Sequence, residues 1–119
     1  MIGILDLEIC NLTSVSSAVY NLGFDFNIIK INEEKKLNKI SHLIIPGVGS
    51  FSNISNEYFN NENFPLQLND YVNKGKPILG ICLGMQLLAT EGFENKKSKG
   101  LNLIKASVEL MKTDNSKTF

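Results

Sequence analysis

The sequence has no arginine, and its 12 lysines are balanced by 12 carboxylates, leaving a formal net charge of zero. With no excess of either sign there is no basic field to draw nucleic acid or an anionic membrane. The short charge runs, Glu33-Glu34-Lys35-Lys36 and Lys96-Lys97, read as solvated faces. No apolar run approaches the ~20 residues that span a bilayer. The first residues carry no basic segment followed by a small-residue cleavage site, so no secretory signal is expected. Cysteine is scarce: Cys10 and Cys82 are too few for a disulfide framework, and reduced thiols point to the cytoplasm. Histidine is scarcer still, with His42 alone. No glycine-rich stretch ends in Gly-Lys-Ser/Thr, which excludes a phosphate loop. No repeat is visible, and no cofactor or metal enters the reading. What remains is 119 residues, 43% of them hydrophobic, enough for one domain with a modest core, or for part of one.

Read in order, the chain alternates strands and helices. Met1 to Leu5 is an apolar run that delivers Asp6 to a strand's carboxyl end. Asn11 is placed to cap a helix with Leu12, Val15, Val19 and Leu22 at helical spacing, stopped by Gly23. Phe24 to Ile31 is strand-like, and Glu33 to Lys39 is a short exposed helix or loop. His42 to Ile45 forms a third strand ended by Pro46-Gly47-Val48-Gly49-Ser50-Phe51. Residues 52–63 are poorly patterned. Phe64, Leu68, Tyr71 and Val72 mark a second helix, which Gly75 ends. Ile78 to Ile81 is a buried strand and Met85 to Ala89 a helix. Residues 91–99 read as a polar loop, Leu101–Ile104 and Ala106–Met111 as two short strands, and Thr113–Lys117 as a polar turn. This order predicts an α/β fold, an open and mostly parallel doubly wound sheet with helices on both faces. Functional residues of such sheets gather at the carboxyl ends of strands, where Asp6, the 46–51 loop and Cys82 all fall.

Cys82 stands between the strand and the helix in the pattern Gly80-x-Cys82-x-Gly84. Strand, tight turn and helix around a nucleophile make an elbow that lifts one side chain clear of the sheet. A helix beginning just after the sulfur favours its thiolate form, and the Leu83 N–H would face the oxyanion formed on attack at a carbonyl. A small buried cysteine between two packing glycines fits the same spacing. Gly47 and Gly49 let the backbone after the third strand bend toward a ligand and offer N–H groups opposite Leu83. An ordinary glycine-rich turn is the plainer reading of that loop. Gln86, one helical turn past Cys82, is either over the same pocket or on the surface.

These segments together resemble the class I (triad-type) glutamine amidotransferases, over all 119 residues. The likeness rests on Asp6 with Asn11-Leu12-x-Ser14-Val15, on Ile45-Pro46-Gly47-Val48-Gly49-Ser50-Phe51, on Gly75-Lys76-Pro77, on Gly80 to Leu88, and on Gly100-Leu101-x-Leu103-Ile104. The Pro-Gly-Val-Gly-Ser-Phe stretch is narrower than the elbow. It points to the glutaminase subunits of imidazole glycerol phosphate synthase, in histidine biosynthesis, rather than to the anthranilate, carbamoyl phosphate or GMP branches. The resemblance implies that Cys82 attacks the side-chain amide of glutamine. Val48, Gly49 and Leu83 would form the oxyanion hole, while Gly47, Gly84 and Gln86 hold the substrate. It also implies a (β/α)₈-barrel cyclase partner that receives ammonia before water protonates it.

Two departures accompany the likeness. After Asp6 the family reads aromatic-Gly-x-Gly-Asn, whereas this chain has Leu7-Glu8-Ile9-Cys10-Asn11, so the loop is expected to sit differently and Glu8 to find a contact of its own. The family's catalytic His and Glu lie beyond a Pro-His-x-Gly-Trp-Asn segment that would begin about where residue 119 falls. His42, at the start of a strand, is at the wrong end of the sheet to replace them. The chain therefore reads as residues 1–119 of a partial amidotransferase domain, truncated on its C-terminal side. Its rivals are an amidotransferase paralogue serving another acceptor, such as a surface sugar, a non-catalytic remnant acting as an interaction module, and a cysteine hydrolase with the same elbow but another acyl substrate.

Overall fold

The computed structural model describes residues 1–8 and 12–112. Four strands form a wholly parallel sheet: β1 (Ile2–Asp6), β2 (Phe26–Lys30), β3 (His42–Gly47) and β4 (Ile78–Cys82), in the order β2-β1-β3-β4. Between them run α1 (Leu12–Asn21), a 3-10 helix (Ile31–Lys39), α2 (Phe51–Tyr58) and α3 (Asn63–Asn73). The fourth helix, α4 (Leu83–Gln86), follows β4 directly. A second, three-stranded sheet comes from β5 (Ala89–Gly92), β6 (Ser98–Lys99) and β7 (Ile104–Val108), in the order β6-β5-β7.

Period-two alternation divides the side chains of the parallel sheet between two faces. Leu5, Ile29, Leu43 and Ile45 point to one face, where they meet Leu37 and Ile40 and the apolar sides of α2 and α3. Phe51, Phe59, Phe64 and Leu68 are all essentially excluded from solvent in that layer. Each such side chain contributes about 1.5–3 kcal/mol on burial, so this face holds most of the fold's stability. Ile4 and Val19 are buried outside that cluster, which puts α1 on the opposite face. The doubly wound α/β architecture is present.

Several local expectations are corrected. Residues 52–63 include all but the first residue of α2, an eight-residue helix whose N-cap, Ser50, accepts the Asn53 N–H at 3.4 Å. The third strand continues through Pro46 and Gly47, because both pair in register with β4. The helix expected over Met85–Ala89 is a single turn ending at Gln86; Ala89 already belongs to β5. Residues 91–99 are not a loop throughout, since Glu91 and Gly92 pair with Lys99 and Ser98. One strand, β7, replaces the two short strands expected between residues 101 and 111. Leu22 is 74% exposed and lies past the end of α1, so it is not part of that helix's buried stripe. The positive φ of Gly23 (85°) and Gly75 (80°) matches their reading as stops after α1 and α3. Asn11, Cys10 and Thr113–Lys117, for which the sequence also raised expectations, lie outside the described residues.

Candidate active site

The parallel register puts the two glycine-flanked segments side by side. Gly47 is the partner of Cys82, and Ile45 the partner of Gly80, across the β3–β4 pair. Adjacent strands lie about 5 Å apart, so the Gly47-Val48-Gly49 loop leaves β3 next to the cysteine. Cys82 is exposed and has φ 54° and ψ −121°, a conformation that L-residues rarely adopt. That backbone is the sharp strand-to-helix turn expected from Gly80-x-Cys82-x-Gly84. The exposure of Cys82 is at odds with the plainer reading of it as a buried packing residue.

The flanking glycines are required by close approach. A Cβ on Gly84 would run into the carbonyl oxygen of Ile45, and one on Gly80 would stand 2.6 Å from the Cα of Met85. Both contacts press α4 against β3 and β4, holding the turn closed. Leu83 is buried beneath it at 4% exposure. The first N–H groups of any helix have no acceptor within the helix, which makes the start of α4 a source of donors beside Cys82. Because α4 is only four residues long, those donors matter more than an extended dipole.

On the facing side, Gly47 is buried while Val48 and Gly49 are exposed, so the loop turns outward immediately beyond the paired strand. Gly49 has φ +111°, with nothing within 4 Å of where a Cβ would sit. Glycine here serves the backbone conformation rather than packing. Gln86 is half-buried and borders a cavity of about 350 Å³ whose other walls include Met85, Ala89, Ile104, Ser107 and Glu109. Gly84 is buried against β3 and offers only backbone.

Asp6 ends β1 at the same edge, and its Oδ1 accepts the Glu8 N–H at 2.8 Å. Glu8 takes φ 59°, a value suited to the glycine that the resemblance would place there. Glu8 thus keeps a glycine-like backbone conformation despite the substitution. Glu8 also gains the expected contact: the Tyr58 hydroxyl donates to the Leu7 carbonyl at 3.2 Å and to Glu8 Oε2 at 3.5 Å. Burial, and then the nearby charge of Glu8, raise the Tyr58 hydroxyl above its ordinary pKa. Sequence reasoning missed Tyr58 because it sits at the end of the unrecognised α2.

His42 lies at the opposite end of β3, where its Nδ1 is 2.8 Å from the Ser41 hydroxyl. Five residues of extended chain separate it from Gly47, about 16 Å at strand rise. Among the described residues no group of three His, Cys, Asp or Glu side chains could hold a metal ion. No helix among them is long and apolar enough to cross a membrane.

The class-I glutamine amidotransferase family matches this chain over residues 4–117. An imidazole glycerol phosphate synthase subunit HisH from Halalkalibacterium halodurans is 44% identical over 108 residues, covering 91% of this chain and 49% of that protein. The HisH subunit of Bacillus subtilis is 38% identical, covering 98% of this chain and 54% of its own length. The chain spans about half the length of the curated relatives it matches. Among solved structures, a glutamine amidotransferase superposes with a TM-score of 0.70 at 22% identity, covering 91% of this chain and 55% of that one. A putative peptidase E protein from Listeria monocytogenes gives 0.67 at 13% identity. Both likenesses concern the fold.

Proposed function

The chain belongs to the class-I glutamine amidotransferases, and from that premise we propose that it carries the nucleophile half of a glutaminase site. The single observation behind this reading is the strained Cys82 elbow held in register with Gly47. Cys82 Sγ adds to the side-chain amide carbon of glutamine, and the amide oxygen becomes an oxyanion. The N–H groups of Leu83 and of the Val48–Gly49 loop converge on that oxygen, while Gly47, Gly84 and Gln86 hold the rest of the substrate. Collapse of the tetrahedral adduct expels ammonia and leaves a γ-glutamyl thioester. Water then hydrolyses the thioester to glutamate and frees the thiol. The departing nitrogen must gain a proton and the attacking water must lose one, and His42 is too far away to serve as the acid or the base. These residues therefore supply attack and oxyanion binding, with acid–base catalysis coming from elsewhere in the enzyme.

The HisH names of its relatives support a role as the glutaminase subunit of imidazole glycerol phosphate synthase in histidine biosynthesis. Free ammonia is protonated in bulk water and loses its nucleophilicity. A subunit of this kind works docked to the synthase that consumes ammonia, here a (β/α)₈-barrel cyclase in the cytoplasm, where the thiol stays reduced. Glu8 in its glycine-like backbone conformation is the observation that favours a paralogue with another acceptor as the second reading.

A diazo-ketone analogue of glutamine tests the site. It should alkylate Cys82 well ahead of Cys10, and excess glutamine should protect Cys82. Equal labelling of the two thiols, or no protection, would overturn the glutaminase reading.

A further inference from the structure

We propose that Glu94 and Gly92 act together as a clamp on Phe51 that sets the position of the oxyanion loop, with Glu94 as its positioning residue. Two independent contacts carry this. Glu94 Oε2 accepts the backbone N–H of Phe51 at 3.2 Å, across 43 residues of sequence. The Phe51 ring is fully buried, and it lies so close to Gly92 that a Cβ there would stand 2.8 Å from two of its ring atoms. One short segment therefore holds Phe51 by its amide and by its ring.

That segment is itself tied to the elbow. The chain runs from Cys82 through α4 into β5, and its backbone is pinned at successive points. Leu87 N–H donates to Leu83 O at 2.9 Å, Leu103 N–H to Leu88 O at 2.9 Å, and Gly100 N–H to Thr90 O at 2.9 Å. Phe93 N–H donates to Val108 O, also at 2.9 Å, one residue before Glu94. On the other side Gly47 is in register with Cys82 itself. Val48, Gly49 and Ser50 therefore bridge two fixed points, Gly47 and Phe51, and both points are referenced to the same cysteine. A three-residue bridge with its ends fixed has few conformations, and Gly49 at φ +111° supplies the one the bridge needs. The Glu94 carboxylate also sits at the first turn of α2, where a negative group is favoured. Loss of this acceptor would free the Phe51 end of the bridge, and with it the N–H groups that face the oxyanion. The consequence for catalysis rests on the glutaminase reading, whereas the clamp itself does not.

Hydrogen–deuterium exchange resolved to single amides, on the whole chain, tests the clamp directly. Glu94→Ala should speed exchange of the Phe51 amide by about tenfold, the loss of one hydrogen bond's worth of protection. Glu94→Gln, whose amide oxygen still accepts, should restore most of it. An unchanged Phe51 amide in Glu94→Ala overturns the proposal, as does a Glu94→Gln variant that exchanges as fast as the alanine. A second readout compares the labelling of Cys82 by the diazo-ketone glutamine analogue with that by iodoacetamide, which needs no oxyanion hole. The ratio of the two rates should fall several-fold in Glu94→Ala with the iodoacetamide rate unchanged. Equal changes in both rates would reveal general loosening and count against positioning. If the analogue fails to label Cys82 in the unaltered chain, the glutaminase reading falls, and the exchange rates still decide the clamp.

Discussion

A cysteine held at φ 54° and ψ −121° spends stability on its own presentation. Residues in such regions cost about 1–3 kcal/mol and persist where the surroundings over-determine them. Here the surroundings are Gly80 and Gly84, whose missing side chains let α4 lie against β3 and β4. Glycine accepts this conformation freely, at an entropic penalty of about 0.5–1 kcal/mol. Cys82→Gly should therefore be more stable than the unaltered chain, by about 1 kcal/mol, in urea denaturation followed by circular dichroism. Equal or lower stability would mean that the turn is relaxed. The elbow was legible in the sequence because strand, Gly-x-Cys-x-Gly and helix formers lie within a dozen contiguous residues. Glu94 was not legible, since its partner Phe51 is 43 residues away and nothing in a polar stretch marks which carboxylate will be used.

At the scale of elements, the strands of the parallel sheet were legible because buried parallel strands read as continuous apolar runs. The helix α2 was hidden by its composition. Ser, Asn and Glu fill five of its eight positions, and its only large apolar residues before Tyr58 are Phe51 and Ile54, three apart. The long-range packing of Phe51 and Ile54 decides that segment rather than intrinsic propensity. The shortness of α4 had the opposite cause. Met85 to Leu88 are good helix formers, but Leu101 and Leu103 N–H groups capture the Leu87 and Leu88 carbonyls and turn the chain into β5. Helix α3 is anchored by Tyr71, buried to 3% exposure, whose hydroxyl donates to the Pro77 carbonyl at 3.2 Å just ahead of β4. Burial pushes the Tyr71 hydroxyl from 10.0 up to about 12. Between those values the unfolded chain has lost the proton and the folded chain keeps it, so stability falls as pH rises through that window. Denaturation midpoints should decline from pH 10 to 12, and Tyr71→Phe should show a shallower decline. Identical slopes would show that Tyr71 titrates normally.

The molecule as a whole buries one face of its parallel sheet far better than the other. On the face away from α2 and α3, register aligns Ile28, Ile4, Ile44 and Leu79 in one row across the four strands. Ile4 is fully buried, yet Leu79 is 56% exposed, and Ile81, on the same face of β4, is 39% exposed. Helix α1 covers the β1–β2 side of this face, and among the described residues no helix covers the β3–β4 side. β4 is also the last strand of the sheet, with no partner among the described residues on its outer side. An apolar face and an unpaired strand edge at the same place favour association of like with like. The chain alone should sediment as a concentration-dependent mixture of monomer and larger species, with a broad thermal transition. A charge on the open face opposes a second copy without touching the core beneath α2 and α3. Leu79→Lys should therefore shift the population toward monomer and sharpen the melt, whereas a lysine at exposed Glu109, away from this face, should leave the distribution unchanged. A monodisperse unaltered chain with a sharp, cooperative melt would mean that the open face is tolerated as it stands.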